Sequence, residues 1–322
     1  MAEQFKQRDV QVDWVFSGRD PQGYFDMEIF ADYQTFKGLT FAVEKGKVSY
    51  PKTLWKSDLK QVWRDIRRID VRPYDLVIND FEPITAWAAK LSGRKVVGIS
   101  HQCAFNYSVP RKNMGLGVRA FMRAFAPVTL PIGLHWHHFD QPILPPMVDL
   151  HVPIIKPSEK RILVYLPFVT DTRVLDILLQ VPEYQFDVYL GAQLNVAKEN
   201  VRFHPFSRSG FQQHLAACEG VVCSAGFELP SETLHLGKRL LVIPIRGQAE
   251  QESNAQALRH LGIADAADEL TLEILRDWLN KAPPRPTNYP NVAESLVDWL
   301  LAPNPIPLEN LADTLWQQAA KP

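Results

Sequence analysis

The sequence lacks several features that would assign it to a particular class of protein. Its 322 residues include three cysteines, Cys103, Cys218 and Cys223, which are too few for a disulfide framework and suit a reducing compartment. No apolar run approaches the roughly 18 residues that a membrane span needs. The formal net charge of −1 argues against recognition of nucleic acid by the protein as a whole. The polar start MAEQFKQRDVQ is not expected to be a signal peptide, so we expect a cytoplasmic protein.

The pattern of strands and helices indicates two α/β domains. A length of 322 residues exceeds what one hydrophobic core usually serves. Strands rich in Val and Ile alternate with helices in both halves, which predicts parallel sheets. We therefore expect two Rossmann-like domains, over residues 1–150 and 151–322, with the last helix packing back on the first domain. The predicted strands are VQVDWVF, Leu76–Ile78, Lys95–Ser100, RILVYLP, FDVYLGA, GVVCSAG and RLLVIPI.

The stretch CSAGFELPSETLHLG predicts an anion site. Val221–Cys223 reads as a strand, and small residues follow it in the turn before a helix that starts near Leu229-Pro230 and stops at Gly237. Small residues allow a ligand to approach the backbone N–H groups of a helix N-terminus, where phosphate or diphosphate binds well. The turn also follows a parallel strand, at the edge where open α/β sheets bind ligands.

Polar residues after this turn suit a nucleotide-sugar. Glu232 lies one turn into the helix and, directed sideways, can accept both hydroxyls of a ribose. Gln248, Glu250, Gln251 and Asn254 cluster after the next strand, where amides and one acid can bind sugar hydroxyls. The alternative is structural: Glu232 is a first-turn acid favoured by the helix dipole, and the later cluster is an ordinary polar helix start.

These residues resemble the C-terminal signature of nucleotide-sugar glycosyltransferases with the GT-B architecture, closest to the family-1-like group. The matching positions are Gly226, Glu232, Gly237, Pro244 and Glu250-Gln251. The resemblance implies an inverting hexosyltransferase with a UDP-type donor, which is a substrate, and no cofactor or metal. It implies ribose contact from Glu232, sugar contact from Glu250 and Gln251, and diphosphate contact from Ser224, Ala225, Gly226, Phe227, Glu228 and Leu229.

Two departures from the plant signature affect these expectations. That signature has His in place of Ser224 and Ser in place of Leu229, so phosphate binding here would depend on backbone N–H groups. The turn before Glu250 is also longer, which leaves Gln248 and Gln251 as rival sugar-binding residues.

The segment DLVINDFEP resembles the acceptor side of the same family. There Asp80 occupies the position of an acid that orients a catalytic histidine, the general base for the acceptor hydroxyl. In the family that histidine follows the first strand in a Gly-rich loop, which this sequence lacks. We therefore expect a strand and loop upstream of Met1, or else a relative that binds nucleotide-sugar without transferring it. Absence of a central strand would leave two neighbouring strands with unpaired edges.

Other polar residues carry alternative interpretations. His101 follows the predicted strand KVVGIS and could serve as base or contact the acceptor, although a hydrogen-bonded structural histidine is favoured. Thr170 to Thr172 could contact donor phosphate or acceptor, with Asp171 as a helix cap instead. His135 and His137 would share one face of a strand and could hold a metal, but an interdomain polar patch is favoured.

Residues 111–126 combine basic and apolar side chains with helical spacing. Such a helix can lie on an anionic membrane and would suit a lipid-linked acceptor. Packing against the other domain explains it equally well. Two further functions stay open: a nucleotide-sugar epimerase of the same fold, and a non-catalytic nucleotide-sugar-binding protein.

Overall fold

The structure is a computed structural model. It describes residues 1–19, 24, 27–30, 32–38, 43–44, 47–48, 58–153, 155–158, 160–167, 173–190 and 200–319. Thr170 to Thr172, singled out by the sequence, lie outside these residues. No helix of the described ranges has the length and apolar character that crossing a bilayer requires.

The start of the chain forms small sheets. Its elements are α1 (Ala2–Gln7), β1 (Trp14–Ser17), a 3₁₀ turn (Glu28–Phe30), β2 (Tyr33–Phe36), β3 (Val43–Glu44) and β4 (Lys47–Val48). β1 and β2 are parallel, and β3 and β4 are antiparallel.

A three-stranded parallel sheet follows, with the order β5-β6-β7. Side-chain caps begin its helices at the strand ends: Glu82 accepts from the N–H groups of Ile84 and Thr85, both at 2.7 Å, and Ser100 accepts from Cys103 N–H at 3.1 Å. The elements are α2 (Leu59–Arg68), β5 (Val77–Asn79), α3 (Pro83–Leu91), β6 (Val96–Ser100), α4 (His101–Ala104), α5 (Leu116–Phe125) and β7 (Leu130–Gly133).

Backbone pairing among the described residues does not join β1 to β5. β1 is an edge of the two-stranded sheet and β5 is an edge of the three-stranded one. The absence of a central strand from this part of the fold stays a prediction.

The second half is built on a six-stranded parallel sheet with the order β10-β9-β8-β11-β12-β13. Its elements are β8 (Arg161–Leu166), α6 (Arg173–Leu179), β9 (Gln185–Leu190), β10 (Val201–Phe203), α7 (Arg208–Ala217), β11 (Gly220–Cys223), α8 (Glu228–His235), β12 (Arg239–Val242), α9 (Ala249–Leu261), β13 (Asp265–Ala266), α10 (Leu272–Leu279), α11 (Val292–Leu301) and α12 (Leu308–Ala319).

Alternation along the strands gives this sheet two buried faces. Leu163 and Val221 pack in one cluster with α8 and α9, whereas Ile162, Val164 and Val222 pack in another with α6 and α10. Because successive side chains of a strand point to opposite faces, continuous Val/Ile/Leu runs are what a doubly covered sheet needs.

The last two helices lie against the first sheet. Leu296 of α11 and Leu315 of α12 share a buried cluster with Val97, Ile132 and Leu144. The chain therefore returns to the N-terminal half after completing the C-terminal sheet. The domain boundary at residue 150 stays a prediction.

β7 is a strand that the sequence does not indicate. It lies in the loosely patterned segment 111–151, and Pro131 in its middle lowers its strand propensity. Pro131 is tolerated because β7 pairs on one side only, with β6, so a proline there does not interrupt the sheet's interior.

The glycine that ends α8 is expected to be essential for stability. Gly237 has φ +66°, and a Cβ there would lie 2.6 Å from Pro286 Cγ. Gly262, which ends α9, also has φ +66° but faces open space. Gly237→Ala should lower the free energy of unfolding by about 2–4 kcal/mol, from backbone strain plus overpacking, and Gly262→Ala by about 1 kcal/mol. Urea unfolding measures both; equal losses would show that the Pro286 contact costs nothing.

Candidate functional site

The start of α8 is an open helix N-terminus at the carboxyl edge of the six-stranded sheet. The helix begins at Glu228, slightly earlier than predicted, so Pro230 is its third residue rather than its first. Phe227 is the N-cap residue, and no described side chain hydrogen-bonds there. The first N–H groups of a helix have no intrahelical partner, so this end can accept an anion.

The turn before α8 uses part of its own hydrogen-bonding capacity. Ser224 N–H donates to Tyr165 O at 3.3 Å, and Gly226 N–H donates to Ser224 O at 2.8 Å. These two groups hold the turn in shape. The donors left for an anion are therefore the N–H groups at the helix start itself, from Phe227 to Leu229.

Three carboxylates lie around this helix start. Asp80 follows β5, Glu228 is the first residue of α8, and Glu250 lies in the first turn of α9. Asp80 is an exposed side chain, yet desolvation by the surrounding protein and then the negative charges of Glu228 and Glu250 raise its pKa to about 7. Glu228 is also exposed, and desolvation followed by the charge of Glu250 raises its pKa. The structure thus brings Asp80 to the predicted anion seat, across the cleft between the halves.

Arg19 is a cationic residue of the cleft that the sequence did not single out. It follows the Ser17-Gly18 turn after β1, and its positive charge opposes the rise in the pKa of Glu228. It acts in the same way on Tyr165, at the end of β8, whose pKa burial raises. The sequence feature that could have identified Arg19 is its position directly after a predicted strand and a glycine turn.

Glu232 lies one turn into α8, as predicted, and is half-buried. Its pKa is raised to about 7, first by burial and then by the charges of Glu228 and Asp149, whereas Arg208 opposes the rise. Asp149 itself accepts from Gln212 Nε2 at 2.7 Å and lies 3.5 Å from Arg208. Asp149 and Arg208 are distant in sequence from Glu232, so spacing alone could not reveal them.

The side chains of Gln248 and Gln251 each accept one hydrogen bond that stabilises the fold. Gln248 caps α9, its Oε1 accepting from Gln251 N–H at 2.8 Å. Gln251 Oε1 accepts from Ile245 N–H at 2.9 Å and fixes the preceding loop. In the described chain both Nε2 groups stay without a protein partner, so each glutamine retains donors for a ligand.

Asn254 and His101 bind each other across the cleft. Both are buried, and His101 Nε2 lies 2.6 Å from Asn254 Oδ1 while its Nδ1 lies 2.9 Å from Leu134 O. Asn254 Nδ2 donates to Ala225 O at 3.0 Å, and the His101 ring stacks on Phe227 with 4.0 Å between centroids. A ring held at both nitrogens is not free to act as a base, and the Asn254 amide supports the turn before α8.

Further bonds join the same two surfaces. Trp136 Nε1 donates to Ser231 Oγ on α8 at 2.8 Å. Lys112 N–H donates to Ser253 Oγ at 3.0 Å, and Asn113 Nδ2 donates to Glu252 Oε2 at 2.7 Å, both on α9. The N-terminal half therefore contacts both helices that carry the predicted donor-binding residues.

The histidines of LHWHHFDQ do not lie on a strand, because β7 ends at Gly133. His135 is fully buried, its Nδ1 accepts from Trp136 N–H at 2.8 Å, and burial lowers its pKa well below the usual value. His137 and His138 stack on each other at 4.5 Å. The shared strand face on which the metal alternative depended is therefore absent from this described segment.

A different group contains three potential metal ligands. Asp187 of β9, His204 and His214 have ligand atoms within 4.8 Å of one another. Asp187 Oδ1 lies 2.8 Å from His204 Nε2, and Arg161 Nε lies 3.4 Å from Asp187 Oδ2. A hydrogen bond to His204 and the ion pair with Arg161 account for the placement of Asp187 without a metal.

The family model described as glycosyl transferase family 1 matches residues 2–283. The chain belongs to this family. A search of curated proteins found no match.

Solved glycosyltransferase structures share the fold. The glycotransferase of kitacinnamycin is 16% identical with a TM-score of 0.58, over 87% of this chain and 86% of that one. The spinosyn rhamnosyltransferase SpnG, complexed with spinosyn aglycone, is 14% identical with a TM-score of 0.56, over 97% and 91%. SnogD from Streptomyces nogalater is 17% identical with a TM-score of 0.50, over 95% and 98%. The architecture is GT-B, with two Rossmann-like domains facing across a cleft.

The raised pKa of Asp80 predicts a stability gain on neutralising it. Folding raises its pKa from about 4 to about 7, so the native state binds more protons between these values and loses stability as pH rises through them. Asp80→Asn should therefore raise the thermal midpoint at pH 8, and the difference from wild type should shrink at pH 5. Differential scanning calorimetry at both pH values tests this.

Asp313→Asn, an exposed acid on α12, controls for the loss of one surface charge. An Asp80→Asn midpoint at or below the wild-type value at pH 8 would contradict the electrostatic account.

Proposed function

We propose that this family member transfers a hexose from a UDP-type nucleotide-sugar to an acceptor hydroxyl, with inversion at the anomeric carbon. The supporting observation is the open start of α8 at the carboxyl edge of the parallel sheet, with Glu232 and Glu250 beside it. An anion seat, a ribose-binding acid and sugar-binding groups are the parts that such a donor needs.

In this proposal the diphosphate binds the N–H groups of Phe227, Glu228 and Leu229. Arg19 and Arg208 supply positive charge near the acids of the cleft. The helix start then stabilises the negative charge that develops on the departing diphosphate.

In this proposal the ribose and the transferred hexose of the donor bind beside the diphosphate site. Glu232 accepts the two ribose hydroxyls, and Glu250 binds hydroxyls of the transferred hexose. The free Nε2 donors of Gln248 and Gln251 complete the sugar contacts, whereas Asn254 contributes by supporting the turn at Ala225.

Asp80 is the proton acceptor of the reaction, acting directly or through an imidazole that it orients. The acceptor oxygen forms a bond to the anomeric carbon, the bond to the diphosphate oxygen breaks, and the hydroxyl proton moves toward Asp80. A pKa of about 7 suits general-base catalysis at neutral pH. The nucleotide-sugar is a substrate, and no step calls on a metal or cofactor. A cytoplasmic location stays a prediction.

Replacing Glu232 should weaken donor binding strongly. Glu232→Ala removes the acceptor for two ribose hydroxyls, so UDP affinity should fall at least about 100-fold, given the strength of hydrogen bonds to a charged group. Isothermal titration of UDP at pH 8, where Glu232 is mostly ionised, measures this.

Glu273→Ala, an exposed acid on α10, should bind UDP as wild type does. Full UDP affinity in Glu232→Ala would contradict the assignment of Glu232 to the ribose hydroxyls. Incubation with UDP- and dTDP-sugars should release nucleotide only when acceptor is present, and conversion of donor to an isomeric nucleotide-sugar would identify an epimerase instead.

A further inference from the structure

A cavity of about 230 Å³ lies in the N-terminal half, between α5, α4 and β7. Much of its wall is apolar, and the residues that form it come from three separate parts of the chain. Those wall residues include Phe81, Phe105, Met122, Pro127, Val128 and Pro131.

One end of the cavity borders the site of the proposed transfer. Phe81 directly follows Asp80, and Gln102 and Cys103 directly follow His101. Burial raises the pKa of the Cys103 thiol to about 11, and the negative charge of Asp80 contributes to the rise. The cavity wall therefore includes the residue that follows the proposed proton acceptor.

The opposite wall is cationic. Arg119 and Arg123, one helical turn apart on α5, both line the cavity. Arg123 Nε donates to Asn106 Oδ1 at 3.0 Å, whereas Arg119 Nε is buried and has no hydrogen-bond partner among the described residues. Within the same described ranges no carboxylate forms a salt bridge with either arginine. A buried guanidinium N–H without a partner costs free energy that an anion would recover.

We propose that this cavity binds the acidic end of the acceptor: one ring or short chain whose carboxylate or phosphate pairs with Arg119 and Arg123. The inference rests on the proposed function, since the acceptor hydroxyl then points toward Asp80. The apolar walls hold the body of the molecule, and the two guanidinium groups select its charge.

The cavity volume limits the size of this group. A cavity of about 150 Å³ holds one benzene molecule, so about 230 Å³ admits one substituted ring or a short chain. A fused multi-ring body does not fit inside and would have to extend outside the cavity.

The same geometry explains the mixed character of α5. The sequence left open whether its basic residues meet a membrane or the other domain. Arg119, Met122 and Arg123 line the cavity, whereas Leu116 at the helix start is exposed. Three residues of α5 thus belong to the cavity wall, and membrane contact through residues 111–126 stays a prediction.

Binding of 4-hydroxybenzoate, compared with its uncharged analogue 4-hydroxybenzamide, tests the inference without any donor. Wild-type protein should bind the acid about tenfold or more tighter than the amide, because only the acid pairs with the arginines. Isothermal titration or ligand-observed NMR measures both. Equal affinities for acid and amide, or binding of neither, would overturn the proposal.

Variants locate the binding. Arg119→Gln should remove the preference for the acid, and Met122→Trp should fill the cavity and abolish binding of both probes. Arg64→Gln, an exposed change of equal charge on α2, should leave both affinities unchanged. Acid preference that survives Arg119→Gln, or that is lost equally in Arg64→Gln, would overturn the assignment. The wild-type comparison stands even if a variant does not fold.

A vesicle experiment distinguishes a soluble acid from a lipid phosphate. Phosphatidylcholine vesicles containing phosphatidic acid that displace 4-hydroxybenzoate from wild type, but do not bind Met122→Trp, indicate a lipid-linked acceptor. Charge-selective binding of the soluble acid without displacement by vesicles indicates a free acid. Glu232→Ala should lose UDP binding and keep the preference for the acid. Retained UDP affinity in this variant contradicts the donor assignment alone, whereas absence of the acid preference in a wild-type protein that binds UDP contradicts the cavity assignment alone.

Discussion

The cleft depends on one electrostatic constraint: carboxylates surround the N-terminus of α8, the part of the cleft best suited to bind an anion. Asp80, Glu228 and Glu250 surround a helix start whose N–H groups have no side-chain cap. Under the proposed function these carboxylates bind sugar hydroxyls and accept a proton, but they oppose a diphosphate. Arg19 and Arg208 supply positive charge that opposes the rise in the pKa of Glu228 and of Glu232, respectively. Gathering these acids in one cleft costs stability.

The two halves meet at this point through polar contacts and through apolar packing, in which Trp136 contacts the Phe227 ring and Ala249 packs with Phe105 and Ile143. His101, Trp136 and the Lys112-Asn113 segment each bind a residue of α8 or α9. These contacts align the acid of one sheet with the helix start of the other. The return of α11 and α12 to the first sheet adds a second, apolar connection. Together they fix the distance across which transfer would occur.

The sequence predicts what is local and repetitive in this molecule. The strand, turn and helix of CSAGFELPSETLHLG lie where expected because small residues, a capping glycine and helical spacing act within one segment. The sequence did not predict β7 because Pro131 lowers its strand propensity. The proline is tolerated because β7 lies at an edge of its sheet. Arg19, Asp149 and Arg208 could not be found by spacing, since only the fold brings them near Glu228 and Glu232. The hydrogen bond between Asn254 and His101 could not be predicted either, because the two residues lie 153 positions apart in the sequence.

That long-range pair has a consequence for turnover. Asn254 holds His101 with one end of its amide and the carbonyl of Ala225 with the other. Separation of the halves must break the first bond, and the turn that precedes α8 then loses the partner that orients its support. Under the proposed function, opening of the cleft and loosening of the helix start that receives the diphosphate are therefore coupled.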